Sequence, residues 1–188
     1  KTNCKDCGQP TCMAFAMKVA QGALTIDKCP HMSADALAKL SEATEPPMKT
    51  ISVGEHKLGG ETVLLRHEKT LVNKNLFSAA VCANMPDEEI DARISESVAI
   101  DYERIGERMY VECILVNCPE EQPAERNISV AKKAADTGRD IIIRCFKPEL
   151  ADEVITAVGS AVKILIGANA SNYEVMNGVA TKHSLVLG

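Results

Sequence analysis

The sequence predicts an α/β protein in two parts, a small cysteine-rich N-terminal module followed by a parallel sheet built from βα units. Three observations carry this. Four of the eight cysteines, Cys4, Cys7, Cys12 and Cys29, stand in the order C-x2-C-x4-C-x16-C, with Pro30 directly after the last. From residue 76 onward, short apolar β-prone runs alternate with helix-period segments at even spacing. The chain has 188 residues, 46% of them hydrophobic, enough for one medium domain and an appendage.

The first element is a ligand loop. Thiolates are soft anionic donors, and a [4Fe–4S] core takes four of them, so this spacing reads as an iron–sulfur ligand set. Gly8 permits left-handed backbone and Pro10 fixes a turn, which lets residues 4–12 present three thiolates from one tight loop. Thr11 then reads as the N-cap of a helix opened by Cys12 and continuing through Met13, Phe15, Met17 and Val19. The helix N-terminus aims unpaired N–H groups and positive dipole at the sulfurs. Met13, Phe15 and Met17 are expected to cover the cluster. Asp27-Lys28-Cys29-Pro30 brings back the fourth thiolate, with His31 beside it as an exposed turn residue or a hydrogen-bonding neighbour. Zinc and disulfides are the competing readings. Zinc sites usually pair two C-x2-C knuckles or mix Cys with His, and a chain of this size does not need disulfide staples.

Residues 33–44 (SADALAKLSEAT) read as a short helix capped by Ser33, which Glu45-Pro46-Pro47 ends and turns into a linker. Stretches 49–53 and 61–66 read as a hairpin across a connection holding Gly54, Gly59 and Gly60. The alternation then begins. Residues 76–83 are expected as a strand and 86–102 as a helix with Ile90, Ile94, Val98 and Ile105 on one stripe. A strand at 109–116, a helix at 124–136 and a buried strand at 140–145 follow. A helix at 148–158 has proline in its first turn, 162–166 is a strand, 171–182 a helix and 184–187 a strand. Five β-segments joined by four helices fit a barrel as well as an open doubly wound sheet.

Composition excludes several classes. The net charge of −5 and the lack of a basic stripe argue against nucleic acid, and three Phe, three Tyr and no Trp leave few stacking platforms. No apolar run is long enough to cross a bilayer, and a reducing cytoplasm suits a chain with these cysteines. The chain opens at Lys1 without an initiator Met and stops at Gly188 after an apolar run, so both ends read as cut.

Other polar residues have ordinary readings. The 167–173 turn lacks the Gly-x-Gly-x-x-Gly spacing and reads as a βα turn with Ser171 as N-cap; on a barrel, Asn169 and Asn172 would lie on the functional face. Cys82, Cys118 and Cys145 fall near strand ends, where a second metal site is imaginable but buried thiols are commoner, and Cys113 reads as core. His67 and Glu68 are neighbours on a strand, point to opposite faces and fit structural or interface roles.

Residues 2–17 (TNCKDCGQPTCMAFAM) closely resemble the N-terminal cluster domain of the large (gamma) subunit of the corrinoid/iron–sulfur protein of the acetyl-CoA synthase, or decarbonylase/synthase, system. Residues 60–70 (GETVLLRHEKT), 102–106 (YERIG) and 163–173 (KILIGANASNY) resemble that family's barrel. A related cysteine module occurs in the B subunit of the Rnf electron-transport complex.

The resemblance implies a [4Fe–4S] domain at 1–44, a linker and hairpin start at 45–60, and the N-terminal part of a TIM barrel at 61–188. It assigns Cys4, Cys7, Cys12 and Cys29 as ligands. It implies a methyl carrier between a methyl-tetrahydropterin and acetyl-CoA synthase, with the cluster returning an electron to oxidised cobalt. The implied partners are the family's small subunit, the methyl-tetrahydropterin methyltransferase, acetyl-CoA synthase and a low-potential electron donor. The family's corrinoid domain and the rest of its barrel have no counterpart in this sequence, so no residue here is expected to bind the corrin and this segment alone is expected to be inactive. An Rnf-type electron-transfer module and a barrel one-carbon enzyme with a structural cluster are the alternatives.

Overall fold

The computed structural model describes residues 3–20, 23–35, 37, 49–60 and 72–188. These fall into two compact units, one from the described residues of Lys1–Thr50 and Gly59–Val72, the other from Ile51–Leu58 and Asn73–Gly188.

In the first unit the regular elements are α1 (Cys12–Ala20) and a 3-10 turn at Ile26–Lys28. The expected helix at 33–44 lies mostly outside the described residues, although Leu37 N–H donates to Ser33 O at 2.9 Å at its start. The Glu45-Pro46-Pro47 linker, the 61–66 strand and the His67-Glu68 pair lie outside the described residues altogether.

The second unit opens on an antiparallel hairpin, β1 (Ile51–Val53) with β2 (His56–Leu58). A hairpin is therefore present at 51–58, closing within the expected Gly-rich connection, while the expected return arm at 61–66 lies outside the described residues. Gly54 takes φ 57 at the first central position of a two-residue turn, and such a turn closes a hairpin without any longer connection.

Behind the hairpin lie β3 (Ser78–Cys82), α2 (Asp87–Ala99), β4 (Asp101–Arg104), β5 (Glu107–Tyr110), β6 (Cys113–Asn117), α3 (Ala124–Ala135), β7 (Asp140–Arg144), α4 (Pro148–Val158), β8 (Val162–Ile166), α5 (Tyr173–Lys182) and β9 (Val186–Leu187). The strands β3, β6, β7, β8 and β9 form one sheet in that order, every pair parallel. Each strand lies beside its predecessor and the order never reverses. A doubly wound sheet needs such a reversal at its switch point, so the order is that of a barrel wall.

Core packing agrees. Outward residues of the strands (Val81, Ile114, Val116, Ile141, Ile143, Leu165) join Ile90, Val130, Val154, Ile155 and Met176 of the helices in one buried cluster. Helices α2 to α5 all contribute to this cluster, so they cover the same face of the sheet. Each fully buried isoleucine contributes about 1.5–3 kcal/mol.

Two expectations about the middle of the chain are corrected. The helix predicted at 86–102 ends at Ala99, and the single strand predicted at 109–116 is two strands. Between them β4 and β5 form an antiparallel hairpin closed by Ile105-Gly106, both at positive φ. Ile105 matched the helical stripe only by spacing. It is 93% exposed at the turn. Tyr102, Met109 and Tyr110 favour strands, and alternating charges (Asp101, Glu103, Arg108) suit a ribbon open to water on both faces.

At the helix starts, Asp87, Glu88 and Glu89 fill the first turn of α2 and Pro148 opens α4, as the dipole and the missing N–H favour. Ser171 does not cap α5. The cap position is Asn172, while Asn169 Oδ1 accepts from Ser171 N–H at 2.9 Å, Ser171 Oγ at 2.6 Å and Asn172 N–H at 3.3 Å. The last strand is Val186–Leu187, because Ser184 turns the chain at φ 56. Among the described residues no helix is long and apolar enough to cross a membrane.

Candidate iron–sulfur site

The ligand loop folds through three left-handed residues: Asn3 at φ 49, Lys5 at φ 69 and Gly8 at φ 74, with Gly8 N–H donating to Lys5 O at 2.8 Å. Thr11 caps the helix as expected, its Oγ1 accepting from Ala14 N–H at 3.1 Å. Cys12 is therefore the first helical residue, its sulfur beside the positive end of α1. The 3-10 turn at Ile26–Lys28 returns the chain, and Cys29 N–H closes it by donating to Ile26 O at 3.3 Å.

All four cysteines are free thiols and all four line one open cavity of about 550 Å³. Its apolar wall is Phe15, Val19, Ile26 and Met32. Here one expectation fails: Phe15 is buried, but Met13 and Met17 are 59% and 58% exposed and do not line the cavity. At 3.6 residues per turn, positions 13, 15 and 17 diverge around the helix. Phe15 and Val19, four apart, share the inward face.

His31 also lines the cavity. Its Nε2 lies 2.7 Å from Asp6 Oδ2, and that hydrogen bond, then one with Cys4, holds the Asp6 carboxyl below the usual carboxylate range. Cys4, Asp6 and His31 are the one group of three such ligand atoms within 4.8 Å of one another among the described residues. A single tetrahedral ion needs donors within roughly 4 Å of one another. Such an ion on this mixed trio would use one thiol and leave Cys7, Cys12 and Cys29 idle. Four soft thiols spread around one cavity suit a multi-iron core, which meets a thiolate at each corner.

Among the described residues, the C-terminal end of the sheet makes no second metal site. Cys82 is in register with Asn117, Arg144 and Ile166 across four strands and accepts from Asn117 Nδ2 at 3.0 Å. Cys118 and Cys145 alternate to the other face and sit in the helix-side core. Burial pushes the Cys118 thiol up to about 12 and the Cys145 thiol up as well. Cys113 is core, as expected, and burial raises its thiol to about 11.

Asn172 Nδ2 is spent on Phe146 O at 2.9 Å and Gly167 O at 3.1 Å, so it braces the loops. Gly167 is required there, since a Cβ would fall 2.1 Å from Cys145 O. Sequence reading missed Arg126, which donates to Ala83 O (3.0 Å) and Met85 O (2.9 Å) and pairs with Asp87. An arginine on a helix facing another chain segment carries no local signal.

Fold and site together define a cysteine-rich iron–sulfur module on a chain with a parallel βα barrel wall. The chain belongs to the CO dehydrogenase/acetyl-CoA synthase delta subunit family, whose model matches residues 51–187, and an Fe-S cluster family model matches residues 1–31. It is 30% identical over 191 residues to the corrinoid/iron-sulfur protein large subunit of Moorella thermoacetica, covering all of this chain and 43% of that protein. The acetyl-CoA decarbonylase/synthase complex subunit gamma of Methanothermobacter thermautotrophicus is 27% identical, again over the whole chain and 42% of the relative. The chain thus spans less than half the length of these relatives. Among solved structures, dihydropteroate synthase of Thermus thermophilus superposes with a TM-score of 0.50 at 15% identity, over 74% of this chain and 47% of that one. That likeness supports the barrel architecture alone.

Proposed function

We propose that this chain is the cluster-bearing part of a corrinoid/iron–sulfur protein large subunit, a methyl carrier between methyl-tetrahydropterin and acetyl-CoA synthase. The observation that carries it is the set of four cysteines on one cavity wall, within a chain that aligns from end to end with large and gamma subunits of that system. Cys4, Cys7, Cys12 and Cys29 hold the cluster. Phe15, Val19, Ile26 and Met32 keep water from one side of it, and the N-terminus of α1 favours added negative charge at Cys12. When bound, a [4Fe–4S] cluster supplies single electrons, here for reactivating an oxidised corrinoid cobalt. No residue of this chain is assigned to the corrinoid, and the chain spans 43% and 42% of the two relatives' length. The partners that follow are the small subunit of the same protein, the methyltransferase, acetyl-CoA synthase and a low-potential electron donor, in the cytoplasm.

The test is electron delivery. The anaerobically loaded, reduced chain is mixed in a stopped flow with an oxidised cobamide while both chromophores are followed. Reoxidation of the cluster in step with reduction of one corrinoid per cluster is the expected result. A reducible cluster that leaves the corrinoid untouched overturns the reactivation role.

A further inference from the structure

Asn3 makes two hydrogen bonds to one cysteine. Its side-chain Oδ1 accepts from Cys12 N–H at 2.8 Å, and its own backbone N–H donates to Cys12 Sγ at 3.3 Å. The first bond satisfies one of the N–H groups at the start of α1 that have no partner within the helix, as Thr11 Oγ1 does for Ala14. The second is made with Asn3 at φ 49, a left-handed conformation that asparagine tolerates better than most residues with a Cβ. The two bonds close a ring between the start of the loop and the start of the helix.

We infer that Asn3 is a positioning residue that sets the reduction potential of the cluster through Cys12. An N–H facing a thiolate stabilises whichever state carries more negative charge on sulfur, and that is the reduced state. The inference rests on the cluster reading above. Asn3 lines the same cavity and acts through its two bonds to Cys12. It fixes the Cys12 sulfur and supplies one of the few hydrogen bonds that reach a ligand sulfur among the described residues.

The experiment is a spectroscopic redox titration of the loaded full chain and two variants, with iron counted in each. At the potential where the wild-type cluster is half reduced, Asn3→Ala should show about a fivefold lower ratio of reduced to oxidised cluster. Asn3→Gly, which keeps the positive φ and so the N–H···S bond, should stay within about twofold of wild type. If Asn3→Ala loses its iron, Asn3→Ser replaces it, with the same fivefold drop expected. Wild-type potential in a fully loaded Asn3→Ala or Asn3→Ser protein overturns the inference. So does a shift in Asn3→Gly as large as in Asn3→Ala, because the backbone bond would then have no part. A wild-type chain that binds no iron refutes the cluster reading instead.

Discussion

Asp152 shows what a single side chain does to the proton linkage of the barrel unit. It stands on α4 and meets Lys182 at the end of α5 at 2.8 Å and His183 just beyond it at 2.7 Å. The Lys182 hydrogen bond, then that of His183, lowers its pKa below the ordinary carboxylate value. A carboxyl depressed in the folded state contributes stability that is complete above its unfolded pKa near 3.9 and is lost as pH falls through the folded value. Asp152→Asn should therefore cost about 1 kcal/mol or less at pH 7, since Lys182 is exposed and Asp152 is itself a third exposed, so solvent screens the pair. It should also make the fall in stability below about pH 4 shallower, as read by urea unfolding at several pH values. An unchanged acid slope would remove Asp152 from the linkage. At this scale the sequence was partly legible. Cysteine spacing, Gly8 and the Thr11 cap follow from local chemistry, whereas the contacts of Asp152, Arg126 and Asn3 join positions that only the folded chain brings together.

Among the elements, the β4–β5 hairpin is where a rule is broken locally. Both central residues of its turn are at positive φ, which Gly106 accepts and a β-branched residue resists. Ile105 gains little in return within this chain, because it is 93% exposed. Replacing it with asparagine should raise the stability of the barrel unit by about 1 kcal/mol, measurable as a shift in urea midpoint at constant slope. A destabilised Ile105→Asn protein would show that the side chain packs in solution. The same hairpin is the element that sequence reading lost. Ile90, Ile94 and Ile105 share a helical spacing, and the stripe concealed the end of the helix at Ala99. By contrast, 148–158 and 162–166 were legible to the residue. Pro148 marks a helix start, the following apolar residues keep helical period, and Gly159 ends the helix at φ 79 before the apolar strand.

At the scale of the chain, the alternation of strands and helices specified a parallel sheet but left its closure open. Apolar runs look alike in a barrel and in a doubly wound sheet, and the difference is pairing order, which no single segment encodes. The consecutive order β3-β6-β7-β8-β9 supplies it. The N-terminal module was more legible, because metal ligation is written in residue type and spacing. Everything proposed about function depends on that module holding one [4Fe–4S] cluster on Cys4, Cys7, Cys12 and Cys29. The most direct measurement is iron and sulfide analysis of the anaerobically prepared chain, with electron paramagnetic resonance after reduction, repeated on each of the four Cys→Ala variants. Four irons and four sulfides per chain with the signal of a reduced cubane, lowered in every variant, is the expected result. One zinc per chain with no sulfide, or a cluster that persists when Cys12 or Cys29 is replaced, would contradict it.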